Sequence, residues 1–278
     1  MEGKFVQLYK LRYKNILCRN SFIIHLGSKS FGKYFEQQAD KYKNLLKINC
    51  EKFKTKWGFD PEYYLYSRME LIDLIKEEKE SILNILDIGC ACGARLACIK
   101  GRYPHANTYG VEIVPKVADI AKNVAEVICG DIEQMEFPWP ENFFDYIIMG
   151  DVLEHLQEPS IVLKKLHKYV KQGGHIIVSI PNVKHYSVML PLIIRDEFSY
   201  SEEGILDTTH LKMYTEVELC KLLSNANYQI EKIYYTTKDQ PEEAVDKIID
   251  LLVSLSVSKD KTKYLAYQYI VKAKKSER

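Results

Sequence analysis

The feature that most constrains this chain is a short apolar strand that runs into an acidic residue and a glycine turn. Residues 83–93 read Leu-Asn-Ile-Leu-Asp-Ile-Gly-Cys-Ala-Cys-Gly, which places Asp87 near the strand end and Gly89 and Gly93 in the turn. Glycines there let the backbone approach a ligand without a Cβ clash, and a following helix offers its N-terminus. The next predicted strand also ends at an acid, Glu112. The segment therefore predicts a strand–turn–helix unit that binds a nucleotide-like cofactor.

Two cofactor classes use this geometry, dinucleotides and S-adenosylmethionine, and Asp87 separates them. A pyrophosphate is bound by backbone N–H groups with no carboxylate close by. The methionine part of S-adenosylmethionine instead carries an ammonium, which a carboxylate at a strand end can hold. Ala91 also occupies the place of the second glycine in a dinucleotide fingerprint. These residues favour S-adenosylmethionine over NAD and make a dehydrogenase the weakest alternative.

Together with four later segments, this stretch resembles the class I S-adenosylmethionine-dependent methyltransferases. The later segments are Tyr-Gly-Val-Glu-Ile at 109–113, Gly-Asp-Ile-Glu at 130–133, Gly-Asp-Val-Leu-Glu-His at 150–155 and Lys-Gln-Gly-Gly-His at 171–175. Their order and spacing match the family over about residues 60–275. The resemblance implies an α/β fold with a doubly wound, mostly parallel, seven-stranded Rossmann-like methyltransferase sheet.

From residue 59 onward, predicted strands and helices alternate, as a largely parallel sheet requires. Strands are predicted at 83–88, 107–112, 125–129, 144–149, 175–180, 228–236 and 264–273, and helices at 61–79, 92–102, 159–171, 216–226 and 241–256, with one more helix beginning at Pro115. Residues 182–214 interrupt this alternation. We expect a methyltransferase domain at 59–278, with a lid or acceptor-binding insertion at 182–214.

Residues 1–58 lie outside the alternating pattern and are predicted to form an N-terminal helical extension. The runs at 23–32, 49–53 and 56–58 resemble the C-terminal tail of family 2 glycosyltransferases, which are sometimes fused ahead of methyltransferases of this type. The catalytic part of a glycosyltransferase is absent from the segment, so the tail alone is not expected to transfer sugar. The resemblance implies a glycosyltransferase as a partner, and the alternative is an extension that packs on the core.

Composition excludes several other functions. The formal net charge of +1 argues against a general nucleic-acid-binding protein. Seven scattered cysteines, an odd number, favour a reducing cytoplasm over a disulfide scaffold. Neither a signal peptide nor an apolar run long enough for a transmembrane segment is recognisable. Cys90 and Cys92 are too close for the usual zinc pair. Glu154 and Asp151 could assist a metal, as in some sugar methyltransferases, but nothing in their spacing requires one, so no metal site is predicted.

The resemblance implies a set of cofactor-binding residues at the carboxyl ends of the strands. Asp87 is expected to meet the methionine ammonium, Glu112 both ribose hydroxyls, and Asp131 the adenine amino group. The alternative for either of the last two acids alone is a solvated residue at a strand end. The full expected set is Arg68, Asp87, Gly89, Cys90, Gly93, Glu112, Ile113, Asp131, Ile132, Gly150 and Asp151. In this set Ile113 packs on the adenine, and Arg68 pairs with the cofactor carboxylate unless it is a surface arginine.

A hydroxyl acceptor must lose its proton, and histidine is the usual base near neutral pH. The candidates are His155, His185 and His210, of which His155 often supports the cofactor loop in this family. Asp207 and Thr209 precede His210 in a segment that resembles methyltransferases encoded with surface-polysaccharide enzymes. The expected function is O-methylation of a sugar or glycan intermediate. The alternatives are a small-molecule O- or N-methyltransferase, and a non-catalytic cofactor-binding partner of a glycosyltransferase.

Overall fold

The computed structural model describes residues 39–238 and 240–276, so the glycosyltransferase-like run at 23–32 lies outside the described residues. The strands are β1 (Asn84–Ile88), β2 (Asn107–Glu112), β3 (Glu126–Cys129), β4 (Phe144–Gly150), β5 (Val170–Pro181), β6 (Tyr228–Thr236) and β7 (Gln268–Lys275). The helices are α1 (Ala39–Trp57), α2 (Pro61–Tyr64), α3 (Met69–Ile72), α4 (Ala94–Arg102), α5 (Pro115–Ala121), α6 (Pro159–Tyr169), α7 (Tyr186–Arg195), α8 (Glu216–Asn225), α9 (Glu243–Leu255) and α10 (Thr262–Leu265). A short 3₁₀ turn at Leu153–His155 follows β4.

The strands form one seven-stranded sheet in the order β3-β2-β1-β4-β5-β7-β6. Parallel pairing joins β3, β2, β1, β4 and β5, whereas β7 is antiparallel to both β5 and β6. The seven strands are confirmed, and the expectation of a mostly parallel sheet is corrected to a mixed sheet. The chain runs outward from β1 to β3 and then crosses back to β4, so the strand order reverses between β1 and β4. Ligands of open α/β sheets bind at such a reversal.

Both faces of the central strands are buried, which explains their nearly continuous apolar sequences. Leu86, Ile147 and Ile176 pack in the hydrophobic cluster on one face. Their chain neighbours Ile85, Ile148 and Ile177 pack in the cluster on the other face. Successive side chains of a strand point to opposite faces, so a two-sided core needs apolar residues at every position. An acid inside such a strand, as at Asp87, therefore has to be accommodated by a specific partner.

Several predicted elements differ from the structure. The last strand, predicted at 264–273, is Gln268–Lys275, because Thr262–Leu265 form helix α10. The helix predicted at 61–79 is divided into α2 and α3, because Arg68 between them adopts a left-handed φ of 50°. The helix predicted at 159–171 ends at Tyr169, since Val170 already pairs with Phe144 as part of β5. The irregular segment at 182–214 contains the regular helix α7.

The C-terminal end of helix α1 packs on the first residues of the predicted methyltransferase domain. The ring of Phe53 meets that of Phe59 edge-on, with 5.2 Å between their centroids. Phe59 is buried in a small cluster with Cys92 and Val117, next to the glycine turn. Lys54 adds an ion pair with Asp60 at 2.8 Å. Residues on the two sides of the predicted domain boundary at 58/59 are therefore packed against each other.

Across residues 39–238 and 240–276, none of the helices combines the length with the apolar character that a membrane span requires.

We expect a chain that begins at Phe59 to fold and to keep cofactor binding, because all seven strands follow that residue. Loss of the half-buried Phe53 ring removes less contact than a fully buried phenylalanine, so the expected cost is about 1–2 kcal/mol of unfolding free energy. Denaturant unfolding of the truncated chain, of Phe53→Ala and of the control Ile48→Ala, an exposed residue on the same helix, measures this cost. An insoluble truncated chain, or one without cofactor affinity, would show that the extension is integral to the domain.

Candidate active site at the carboxyl edge of the sheet

The turn after β1 depends on two glycines with left-handed backbone. Gly89 has φ +68°, and a Cβ there would lie 2.8 Å from Cγ2 of Val152. Gly93 precedes helix α4 with φ +81°, and a Cβ there would lie 2.6 Å from Cγ2 of Val124. Cys90 between them is buried against the position of Gly110, and burial raises the pKa of its thiol. The turn is therefore tightly packed against Val152, Val124 and Gly110. The buried thiol of Cys90 stays protonated and unreactive.

Asp87 is fully buried and forms an ion pair with Arg95, the second residue of α4. Burial raises the pKa of Asp87 to about 6 even though the guanidinium opposes that rise. The second carboxylate oxygen, Oδ2, has no hydrogen-bond partner within the described residues. A Cβ on Gly150 would lie 2.7 Å from Nη2 of Arg95, so the glycine at the end of β4 makes room for the arginine. Arg95 was not found from the sequence, because its only local signal is a basic residue in a first helical turn.

The carboxylate of Glu112 connects the glycine turn to the segment after β2. Its Oε2 accepts from the backbone N–H of Ala91 at 2.9 Å, and its Oε1 accepts from the N–H of Val114 at 2.9 Å. The residue is almost fully buried. Each carboxylate oxygen has a further acceptor position, so hydrogen bonds from ribose hydroxyls remain compatible with this arrangement. Glu112 thus has a structural role in addition to its predicted cofactor role.

The residues expected around the adenine follow β2 and β3. Ile113 leaves 63% of its surface exposed directly after β2, which provides an apolar face for a ring. Asp131 uses Oδ1 to accept from the N–H of Glu133 at 2.9 Å, and Ile132 is buried in the core. The three residues share the edge at which Glu112 lies, since β2 and β3 are parallel neighbours. Their predicted contacts with the cofactor remain predictions.

Arg68 is the centre of a buried polar network. Its guanidinium forms ion pairs with Glu70 and Asp151, and its Nη2 donates to Oγ of Ser179 and Oε1 of Gln268, both at 3.2 Å. Asp151 in turn accepts from Ser179 Oγ at 2.8 Å and from Gln268 Nε2 at 3.0 Å. In this structure Arg68 therefore bonds within the protein, and its predicted pairing with a cofactor carboxylate remains a prediction. Ser179 and Gln268 were not found from the sequence.

The fold brings two of the three candidate histidines together. The rings of His155 and His210 lie edge-on with 4.8 Å between their centroids. Nδ1 of His155 lies 3.2 Å from the carbonyl oxygen of Thr209, and Nδ1 of His210 lies 2.9 Å from that of Ile205. A carbonyl oxygen only accepts hydrogen bonds, so Nδ1 carries the proton in both rings and Nε2 keeps its lone pair. Burial, together with the neighbouring His210, lowers the pKa of His155.

Glu154 completes this group and was not among the predicted site residues. It is buried, and potential ligand atoms of Glu154, His155 and His210 all lie within 4.8 Å of one another. Neither carboxylate oxygen of Glu154 has a hydrogen-bond partner within the described part of the chain. Burial raises the pKa of Glu154 to about 8. The adjacent Glu154 and His155 after β4 are visible in the sequence as a pair of possible ligands. Only the fold shows that His210 lies beside them.

The third candidate, His185, lies elsewhere, at the start of helix α7. Its Nδ1 accepts from the N–H of Ser187 at 3.3 Å and lies 2.8 Å from the Ser187 hydroxyl. It lines a cavity of about 450 Å³ between the 182–214 segment and the residues Lys238 and Tyr267. The wall carries hydroxyl, carboxylate and aromatic side chains, namely those of Tyr186, Ser187, Ser199, Ser201, Glu203 and Tyr267. The apolar Val188, Ile205 and Leu206 and the cationic Lys238 also line it. Ile205, whose carbonyl oxygen binds His210, also lines this cavity.

The sequence of this chain is similar to those of several known proteins. The family described as "Methyltransferase domain" matches residues 56–233. A demethylmenaquinone methyltransferase of Listeria monocytogenes is 24% identical over 161 residues, which are 54% of this chain and 63% of that protein. A malonyl-[acyl-carrier protein] O-methyltransferase of Ilyobacter polytropus is 26% identical over 141 residues, 48% of this chain and 53% of that protein. The chain thus spans less than two thirds of the length of these curated relatives.

The fold also matches a solved structure of a SAM-dependent methyltransferase of Thermotoga maritima. The TM-score is 0.53 at 18% identity, and the match covers 87% of this chain and 98% of that one. The identity is low enough that this likeness concerns the fold alone.

Glu112→Gln is expected to weaken S-adenosylmethionine binding at least about tenfold, because hydrogen bonds to a charged group are worth about 1.5–3 kcal/mol each. The control is Asp145→Asn at the opposite strand end, where the carboxylate also accepts from a backbone N–H, that of Asn84, at 2.7 Å. Calorimetric titration measures the cofactor affinity of each variant, and thermal unfolding measures any loss of stability. Equal cofactor affinity in wild type and Glu112→Gln would remove Glu112 from the cofactor site.

Cofactor affinity is expected to depend on the ionisation of Asp87. Because burial raises the pKa of this carboxyl to about 6, Asp87 is charged above that pH and attracts the methionine ammonium. Below about pH 6 it binds a proton, and affinity should fall by up to about tenfold per pH unit. Titration of cofactor binding between pH 5 and 8 tests this dependence, and Asp87→Asn should bind weakly at every pH. The same acid-side decline in Asp87→Asn would assign the pH dependence to another group.

Proposed function

The chain belongs to the methyltransferase domain family, and we propose that it methylates a hydroxyl group of a sugar or glycan intermediate. It is an S-adenosylmethionine-dependent methyltransferase. The observation that carries the acceptor class is the cavity beside helix α7. The glycosyltransferase-like tail agrees with this acceptor class and suggests a glycosyltransferase as partner.

The wall of the cavity suits a carbohydrate. A sugar ring has apolar C–H faces that stack on aromatic side chains, and Tyr186 and Tyr267 line the cavity. Its hydroxyls both donate and accept, as do those of Ser199 and Ser201. The Glu203 carboxylate accepts two or more further hydrogen bonds. A quinone or an acyl chain would instead require a mainly apolar wall.

The reaction needs alignment more than covalent participation by the protein. The acceptor oxygen forms a bond to the methyl carbon as the carbon–sulfur bond breaks, and the electron pair of that bond stays on sulfur to give S-adenosylhomocysteine. Holding oxygen, carbon and sulfur in line supplies a large part of the rate. The hydroxyl proton must also leave.

The three histidines differ in their suitability for activating the acceptor. Nδ1 of His185 accepts a hydrogen bond from the N–H of Ser187, so it has no lone pair left to take up the acceptor proton. This residue therefore serves as part of the cavity wall. His155 and His210 each retain the lone pair of Nε2, since Nδ1 donates to a backbone carbonyl. We therefore assign acceptor activation to the pair of His155 and His210, and acceptor binding to His185.

His210→Ala is expected to reduce kcat by about 10²-fold or more, the usual contribution of a group that moves the acceptor proton. His185→Ala should mainly raise KM for the acceptor, and both variants should keep cofactor affinity. The measurement is S-adenosylhomocysteine release with sugar phosphates and oligosaccharides that carry free hydroxyls, against quinol and malonyl-thioester acceptors.

Turnover of quinol or malonyl acceptors without turnover of any saccharide would contradict the glycan proposal. Loss of cofactor affinity in both histidine variants would instead assign these residues to the support of the cofactor site.

A further inference from the structure

The group formed by Glu154, His155 and His210 is fixed by the backbone on both sides. Glu154 and His155 lie in the 3₁₀ turn after β4, and the backbone N–H groups of Leu211 and Lys212 donate to the carbonyl oxygen of Glu154 at 2.7 and 3.1 Å. These two bonds hold His210 against the turn irrespective of the Glu154 side chain. The three potential ligand atoms, all within 4.8 Å of one another, are therefore preorganised.

Glu154 lacks a partner among the described residues that would stabilise its carboxyl group in the charged form. The side chain is 1% exposed, and both of its oxygens lack a hydrogen-bond partner among residues 39–238 and 240–276. Burial of a carboxylate without a partner is costly, and buried charges are normally paired or coordinate a metal. Arg68, the nearby cation, directs its hydrogen bonds to other residues, namely Glu70, Asp151, Ser179 and Gln268.

The orientation of the two imidazoles is the one that metal ligands adopt. A metal-bound histidine generally donates its other ring N–H to a carbonyl or a carboxylate, which fixes the ring and the tautomer. His155 does so to Thr209 and His210 to Ile205. The Thr209 hydroxyl donates in turn to Oδ1 of Asp207 at 2.6 Å, so an acid supports the turn that holds His155.

We propose that Glu154, His155 and His210 bind one divalent first-row transition metal ion. Two imidazoles and one carboxylate suit zinc, manganese or iron better than magnesium or calcium, which prefer all-oxygen sites. Three protein ligands leave at least one coordination position open. The sequence predicted no metal site, because the third ligand is separated from the other two by more than fifty residues of chain.

The metal site stands on its geometry alone, and its use in catalysis rests on the proposed function. The site follows β4, at the end of the strand where Gly150 and Asp151 are expected beside the methyl group. An acceptor hydroxyl oxygen in the open position would lose its proton to water near neutral pH, as metal-bound water does. The resulting oxyanion would then attack the methyl carbon, so His155 and His210 would activate the acceptor through the metal and would not take up its proton themselves.

The test is metal binding to the full chain, without an affinity tag and after treatment with a chelator. Calorimetric titrations with Zn²⁺, Mn²⁺ and Mg²⁺, and the visible spectrum of the Co²⁺ form, need no acceptor. We expect one equivalent of Zn²⁺ or Mn²⁺ to bind, Mg²⁺ to bind much more weakly, and Glu154→Gln and His210→Gln each to lower the affinity at least about 100-fold. The control His105→Gln removes an exposed histidine that contacts Glu80 and should bind metal as wild type does.

Thermal unfolding and cofactor affinity of Glu154→Gln show whether the variant is folded, since the bonds to Leu211 and Lys212 involve only its backbone. Absence of a stoichiometric site for Zn²⁺ and Mn²⁺, or equal affinity in wild type, Glu154→Gln and His210→Gln, would overturn the proposal. A confirmed site in a protein that methylates no saccharide would refute the glycan acceptor and leave the metal site standing.

Discussion

The buried guanidinium of Arg68 is the interaction on which the carboxyl edge of the sheet depends. It joins Asp151 after β4, Ser179 on β5 and Gln268 on β7, and Asp151 connects the same strands by accepting from Ser179 and Gln268. A buried charge whose partners are removed is strongly destabilising, by about 3–5 kcal/mol. The left-handed backbone of Arg68 and the division of the first predicted helix follow from this requirement. The edge where the cofactor, the acceptor and the histidine pair are expected is thus held by one residue that precedes the sheet.

The sequence predicted those features that depend on local pattern. The glycine turn, the acids at the ends of β1 and β2, and the alternation of strands and helices are encoded within a few residues, so they could be predicted. The partners of Asp87 and Arg68 could not, because Arg95, Ser179 and Gln268 have no distinctive local pattern. Arg68 and Gln268 are separated by 200 positions, and only the sheet order brings them together. Arg68 itself was predicted within a helix because its neighbours favour one, and tertiary bonding overrode that preference.

The two buried acids near the expected reaction centre also show the difference between local sequence pattern and contacts made by the fold. Asp87 has a cationic partner in Arg95 and one unpartnered oxygen, an arrangement that suits the ammonium of a cofactor. Glu154 has no partner on either oxygen among the described residues and lies beside two imidazoles with basic Nε2 atoms. Sequence spacing made both acids members of recognisable segments, but it did not distinguish their surroundings. Burial and hydrogen-bond accounting do so, because an unsatisfied carboxylate indicates the charge that is missing from its environment.

The burial of this edge also has a consequence for the rate of methyl transfer. The reactants are a positive sulfonium and an oxygen that gains negative charge as its proton leaves, and the products are neutral. A reaction that consumes opposite charges is favoured when water no longer stabilises the separated charges. Fixed protein groups replace water as partners of the reacting charges at this edge. They include the ion pair of Asp87 with Arg95 and the group of Glu154, His155 and His210. A cation bound there would therefore stabilise the oxyanion at the carboxyl edge in place of solvent.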